Sequence, residues 1–224
     1  MEKKFKIDKD YNGIGCKIYQ KGTITTQSGL TVLVGCNGIG KTTLMHQLVS
    51  QLKKADIPVI HFDNLRDGGS HARQSAFARQ DFTFAATSMC SSEGENINMN
   101  IGQFAGKLAS FQRYQVKPDA KELWIFLDAV DSGLSVDNIV ELKSFFNLIV
   151  ENTPNMDVFI IVAANEYELA RGEACFDVLR GKYVKFSSYE RYRNFILKTR
   201  EEKNKRVYDD EEPIRPKRKG AKTT

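Results

Sequence analysis

The chain of 224 residues reads as an α/β sandwich of three layers, with a mostly parallel central sheet and a small antiparallel β part at its N-terminus. Short, fully apolar runs alternate with segments of helical period, the pattern of parallel strands covered on both faces. Residues 30–34 (LTVLV) break into a glycine-bearing loop and then at once into a helical pattern over 43–52. Ahead of that strand, residues 5–26 carry alternating runs (KFKI, CKIYQ, TITT) punctuated by Asn12-Gly13, Gly15 and Gly22, which predict hairpins.

Composition narrows the class. A 41% hydrophobic content supports one sizeable core and a short tail. No stretch approaches the roughly 20 apolar residues of a membrane span, and residues 1–10 are too charged for a signal peptide. The expectation is a soluble, cytoplasmic protein with no membrane partner. Cys16, Cys36, Cys90 and Cys175 lie far apart with no C-x-x-C pair, and the three histidines are isolated. That excludes a disulfide frame and a zinc site and predicts reduced thiols. The net charge of +5 sits largely at the C-terminus and says little about the folded body.

The loop after the first buried strand fits G-x-x-x-x-G-K-[ST], with Gly35, Gly40, Lys41 and Thr42 in the required slots. Glycines let the backbone turn its N–H groups inward around a phosphate, and the following helix adds its positive end. Lys41 would reach the β- and γ-phosphates, and the Thr42 hydroxyl would hold Mg²⁺. The reading is a P-loop that binds a nucleoside triphosphate.

Further along, residues 58–62 (PVIHF) predict a strand ending in Asp63-Asn64. Residues 66–81 are polar, basic and aperiodic, a surface loop bearing Arg66, Arg73 and Arg79. Ser92 with Glu95 forms a capping-box pattern, and apolar positions at Ile97, Ile101, Phe104, Leu108 and Phe111 keep helical spacing behind it. Residues 123–127 (LWIFL) form an apolar strand running into Asp128, the expected metal-holding acid downstream of a P-loop. The rival run ending in Asp63 sits too soon after the P-loop helix. A helix follows over 136–150, a buried strand over 158–163 ending in Ala164-Asn165-Glu166, and a closing helix near 189–205. Tyr11 and Tyr19 lie upstream at a distance suited to stacking on a base, although plain strand packing is the commoner role for a tyrosine in a hairpin. Residues 1–207 form the nucleotide-binding domain, and 208–224 a charged, aperiodic tail expected to be disordered. Its basic end suits nucleic acid or an acidic protein partner.

These motifs resemble those of ABC-type ATPases, in the soluble branch of chromosome-maintenance and DNA-repair heads. GCNGIGKTTL (35–44) is similar to their P-loop, and Ser91-Ser92-Glu93-Gly94-Glu95 stands in the place of their signature. FLDAVDSGLS (126–135) is similar to their Walker B and D-loop, and the strand over 158–163 leads to Asn165 where the family has a switch histidine. The resemblance implies a P-loop NTPase fold with ATP and Mg²⁺ as cofactors. It implies that Gly35, Asn37, Gly38, Gly40, Lys41, Thr42 and Thr43 hold the nucleotide, with Thr42 and Asp128 on the metal. It also implies a head-to-tail homodimer in which Ser92 and Gly94 of a second copy close over the ATP. Gln74 and Gln80 both suit the Q-loop position.

Departures from the family shape the functional expectation. The catalytic glutamate slot is Ala129, which cannot polarise a water. Asn165 can hydrogen-bond a phosphate or water but takes no proton at neutral pH. Glu93 replaces a signature glycine, and no long coiled coil separates Lys41 from Ser92. Losing a general base typically costs 10²–10⁴-fold while phosphate binding survives, so hydrolysis should be slow or rescued by Asp131 or Glu166. Two alternatives stand beside an ATP hydrolase: a non-hydrolysing, nucleotide-dependent interaction module, and a P-loop kinase with the arginine-bearing loop as its lid.

Overall fold

Five apolar runs too short for helices become the parallel strands of one sheet, and the longer amphipathic segments cross over between them. The computed structural model describes residues 1–9, 19–63, 93–131 and 134–209. Their order is β1 (Glu2–Lys6), β2 (Thr23–Gln27), β3 (Gly29–Val34), α1 (Lys41–Lys54), β4 (Val59–Asp63), α2 (Glu93–Tyr114), β5 (Glu122–Asp128), α3 (Val136–Glu151), β6 (Asp157–Ala163), α4 (Tyr167–Ala170), β7 (Ala174–Asp177), β8 (Lys182–Val184) and α5 (Tyr189–Asp209). The main sheet runs β4-β5-β6-β3-β7-β8, and β1 and β2 form a separate antiparallel pair. All pairings in the main sheet are parallel except the β7–β8 hairpin at its edge.

The strands alternate their side chains between two apolar layers. Val32, Leu123, Ile125, Leu127, Val158, Ile160 and Val162 face α2, α3, α4 and α5, where Phe104, Leu142, Phe146, Leu169 and Tyr192 complete the core. Leu33, Trp124, Phe126, Phe159 and Ile161 face the other way, onto α1 and the β1–β2 ribbon, meeting Leu44, Leu48, Phe5 and Ile24. Trp124 anchors this second layer. Its ring stacks on Phe159 at 3.9 Å, takes the edge of Phe5 at 5.3 Å, and donates its indole N–H to Glu122.

The ribbon is also fastened by polar contacts. The Asp8 N–H donates to Gln47 Oε1 at 2.8 Å, and Gln47 and Gln51 donate to the carbonyls of Asp8 and Lys6. Of the predicted N-terminal hairpins, the pairing of the first and last runs is present as β1–β2 and is docked on the P-loop helix, while residues 10–18 between them lie outside the described residues. α5 continues to Asp209, through the first two residues of the expected tail. The rest of the tail, Tyr11, and the loop with Arg66, Arg73, Gln74, Arg79 and Gln80 lie outside the described residues. Cys36 and Cys175 are free and buried. Among the described residues no helix is long and apolar enough to cross a membrane.

Candidate functional site

The strand order determines which side chains meet. β6 lies between β3 and β5, so the segments leaving these three strands emerge side by side at the C-terminal edge of the sheet, where open α/β sheets bind ligands. β3 delivers the P-loop, β5 delivers Asp128, and β6 delivers Asn165.

Backbone geometry makes the P-loop a cradle. Gly40 is the N-cap of α1 at φ +93°, a left-handed conformation that costs other residues about 1–2 kcal/mol. No side chain caps this helix and its first turn holds no acid, so its leading N–H groups point at the loop's centre. At Gly35 a Cβ would sit 2.8 Å from the Ile39 methyl, so the closed loop admits only glycine there. Lys41 arches back over the loop, its Nζ donating to the Gly35 carbonyl at 2.9 Å. Burial lowers its pKa, opposed by the negative charges of Asp131, Cys36 and Asp128. A partly desolvated ammonium held over a ring of N–H donors suits an anion.

One cavity of about 440 Å³ gathers the site: Asn37 to Thr43 of the loop and helix, Asp63, Asp128, Ala129 and Asn165. Asp128 is 8% exposed at the end of β5. Asp63 ends β4 and is its register partner, so two carboxylates stand on neighbouring strands at one edge. Among the described residues no three His, Cys, Asp or Glu side chains cluster as a metal cage. The Thr42 hydroxyl and the Asp128 carboxylate are instead a sparse set of hard oxygen donors. That set fits a small divalent cation which takes its remaining ligands from phosphate and water.

The chain turns sharply after Asp128. Ala129 has φ +55°, a left-handed alanine in the slot where a catalytic glutamate was sought. The turn carries Asp131 inward to complete burial. Asp131 Oδ2 accepts the N–H groups of Asn165 at 2.6 Å and Glu166 at 2.8 Å, while Oδ1 has no hydrogen-bond partner. Asp131 thus holds the turn that presents Asn165 and does not line the cavity. Glu166 is exposed at the N-cap of α4 and is likewise not among the lining residues.

Of the residues predicted to bind nucleotide or metal, the structure brings together Asn37, Gly38, Gly40, Lys41, Thr42, Thr43, Asp128 and Asn165, with Gly35 closing the loop behind them. Ser92 lies outside the described residues, and Gly94 is placed in the first turn of α2. Tyr19 is not a base-stacking residue: it is 4% exposed, and its hydroxyl donates to the Gly40 carbonyl at 2.8 Å. The hydrophobic layer under α1 claims its ring, and the hydroxyl steadies the loop's end. Asp63, set aside in the sequence as a rival to Asp128, lines the same cavity. Its signal was there, because VIHFD repeats the apolar-run-plus-aspartate pattern of LWIFLD.

A glycine-lined loop between a buried strand and an uncapped helix, a lysine folded over it, and an acid two strands away define a P-loop nucleotide-binding fold. Residues 21–215 match the model of a family described as an ATPase domain predominantly from Archaea, and the chain belongs to that family. It is a P-loop ATPase domain. Comparison with curated proteins gives no match.

Proposed function

We propose that the chain binds ATP with Mg²⁺ in the cavity above β3, β5 and β6 and hydrolyses it slowly, with Asp63 activating the water. The observation that carries this reading is the pairing of Asp63 with Asp128 at the edge of adjacent strands, beside Lys41 and Asn165 in one cavity. Strands in a sheet lie about 4.8 Å apart, so a carboxylate one strand from the metal-holding acid can face water next to the γ-phosphate. Thr42 and Asp128 would hold the cation, which neutralises charge on the β- and γ-phosphates when bound. Lys41 and the α1 N–H groups bind the phosphates. Asn165 positions water or a γ-oxygen, and Asp131 keeps Asn165 in place through its backbone N–H.

Asp63→Asn is expected to lower single-turnover hydrolysis roughly 10²–10⁴-fold with ATP binding retained, whereas Lys41→Ala should weaken binding itself. An Asp63→Asn protein that turns over at the wild-type rate sinks this assignment. Tight binding with no turnover in the wild type would instead favour the interaction module.

The head-to-tail homodimer of the ABC-type resemblance is the second reading. What supports it is the likeness of residues 91–95 to the signature, together with α2 spanning Glu93–Tyr114, since a helix N-terminus suits a phosphate. A nucleic-acid or protein partner for the basic tail belongs with that reading.

A further inference from the structure

The closing helix does more than cover the sheet. Along one face of α5, Tyr192 donates its hydroxyl to the Asn165 carbonyl at 3.0 Å, and buried Thr199 accepts the Cys36 N–H at 3.3 Å. Lys203 then donates to the Asn37 carbonyl at 3.1 Å. α5 is therefore tied to both the P-loop and the Asn165 turn. Between these ties lies a second hollow of about 480 Å³, walled by the start of the P-loop on one side and by Arg200 and Lys203 on the other. Among the described residues no carboxylate lines it. Asn37 and Asn165 line both this hollow and the nucleotide cavity, so the two adjoin across that pair.

The shared edge identifies which end of the nucleotide would face the hollow. Thr42 and Asp128 mark the β/γ bridge of a bound triphosphate, and Asn165 stands beside them, so the hollow opens at the γ end. Lys203 is already engaged with Asn37. Arg200, one residue beyond Thr199, has no hydrogen-bond or ion-pair partner among the described residues. By contrast Arg180, packed under the same helix, is paired with Asp177 and Glu202. An unpaired planar guanidinium in a cationic hollow matches phosphoryl oxygens, which it can take bidentately.

We infer that Arg200 contacts the γ-phosphoryl group from within the same chain and stabilises the charge that develops there during hydrolysis. This rests on the ATPase reading above and goes beyond it, because the arginine comes from the subunit's own α5 and not from a second copy. It makes the site discriminate ATP from ADP.

The test measures ATP and ADP binding and single-turnover hydrolysis for wild type, Arg200→Ala, Arg200→Lys and Arg193→Ala. Arg193 is an exposed cation on the same helix, outside the hollow. Arg200→Ala should lose roughly 10- to 100-fold in ATP affinity and roughly 10³-fold in rate, with ADP affinity within about twofold. Arg200→Lys, which keeps the charge but not the fork, should recover only part of this, and Arg193→Ala none of the loss. If ATP binds and Arg200→Ala keeps both its preference over ADP and its rate, the arginine is overturned and the ATPase reading stands. If wild type binds no ATP and Lys41→Ala behaves identically, the ATPase reading falls and this inference with it.

Discussion

Burying Asp131 leaves one carboxylate oxygen with two backbone N–H donors and the other with none. Desolvation raises its pKa, against the lowering pull of the Glu166 and Asn165 N–H groups. The sign of the consequence follows from linkage. The folded chain holds this proton more tightly than the unfolded chain, whose aspartate titrates near 3.9. Stability therefore falls as pH rises from about 4 through the raised folded-state value, and then levels off. Asp131→Asn keeps an oxygen for the two N–H groups and removes the titration. Urea melts across that window should show the variant gaining on wild type as pH rises. A constant difference would mean that Asp131 does not hold its proton more tightly in the fold. The left-handed Ala129 belongs to the same device, since the turn it makes sends Asp131 under the Asn165 loop.

α5 acts on the P-loop chiefly through Thr199, whose hydroxyl is the acceptor for the Cys36 N–H. Thr199→Val keeps the shape and removes that acceptor, at a cost of roughly 1–3 kcal/mol for the orphaned donor. In a domain of this size that is a fall of about 2–12 °C in Tm, readable by calorimetry. ATP affinity should fall with it, because the freed N–H belongs to the phosphate loop. This tie also shows what could and could not be read beforehand. β3, β5 and β6 were legible because buried parallel strands are uninterrupted apolar runs, and the P-loop because its spacing is local. Thr199 and Cys36 are 163 residues apart, and nothing in either neighbourhood announces the other. The place of Asp63 was hidden for the same reason. Its short distance along the chain from the P-loop helix set it aside as a rival to Asp128, whereas strand order makes it Asp128's neighbour. Packing was the ordinary expectation for Tyr19, but a hairpin aromatic reveals its particular neighbours only once the ribbon is docked on α1.

Across the molecule, the order β4-β5-β6-β3 lays Asp63, Asp128, Asn165 and Gly35 along one edge, each from a different strand. A site completed by Arg200 needs no second subunit. With ATP and Mg²⁺ the chain should scatter light as a 25.4 kDa species, and its rate per subunit should hold constant over a hundredfold dilution. A doubled mass that disappears in Ser92→Arg would establish head-to-tail closure in its place. The grip of α5 on the phosphate loop has a further bearing, on how the protein is made. Synthesis runs from the N-terminus, so the cradle and both carboxylates leave the ribosome before the helix that walls them. Until Tyr189 and the turns behind it emerge, the nascent chain has its pocket open on one flank, and the ties to Cys36 and Asn37 are still to be made.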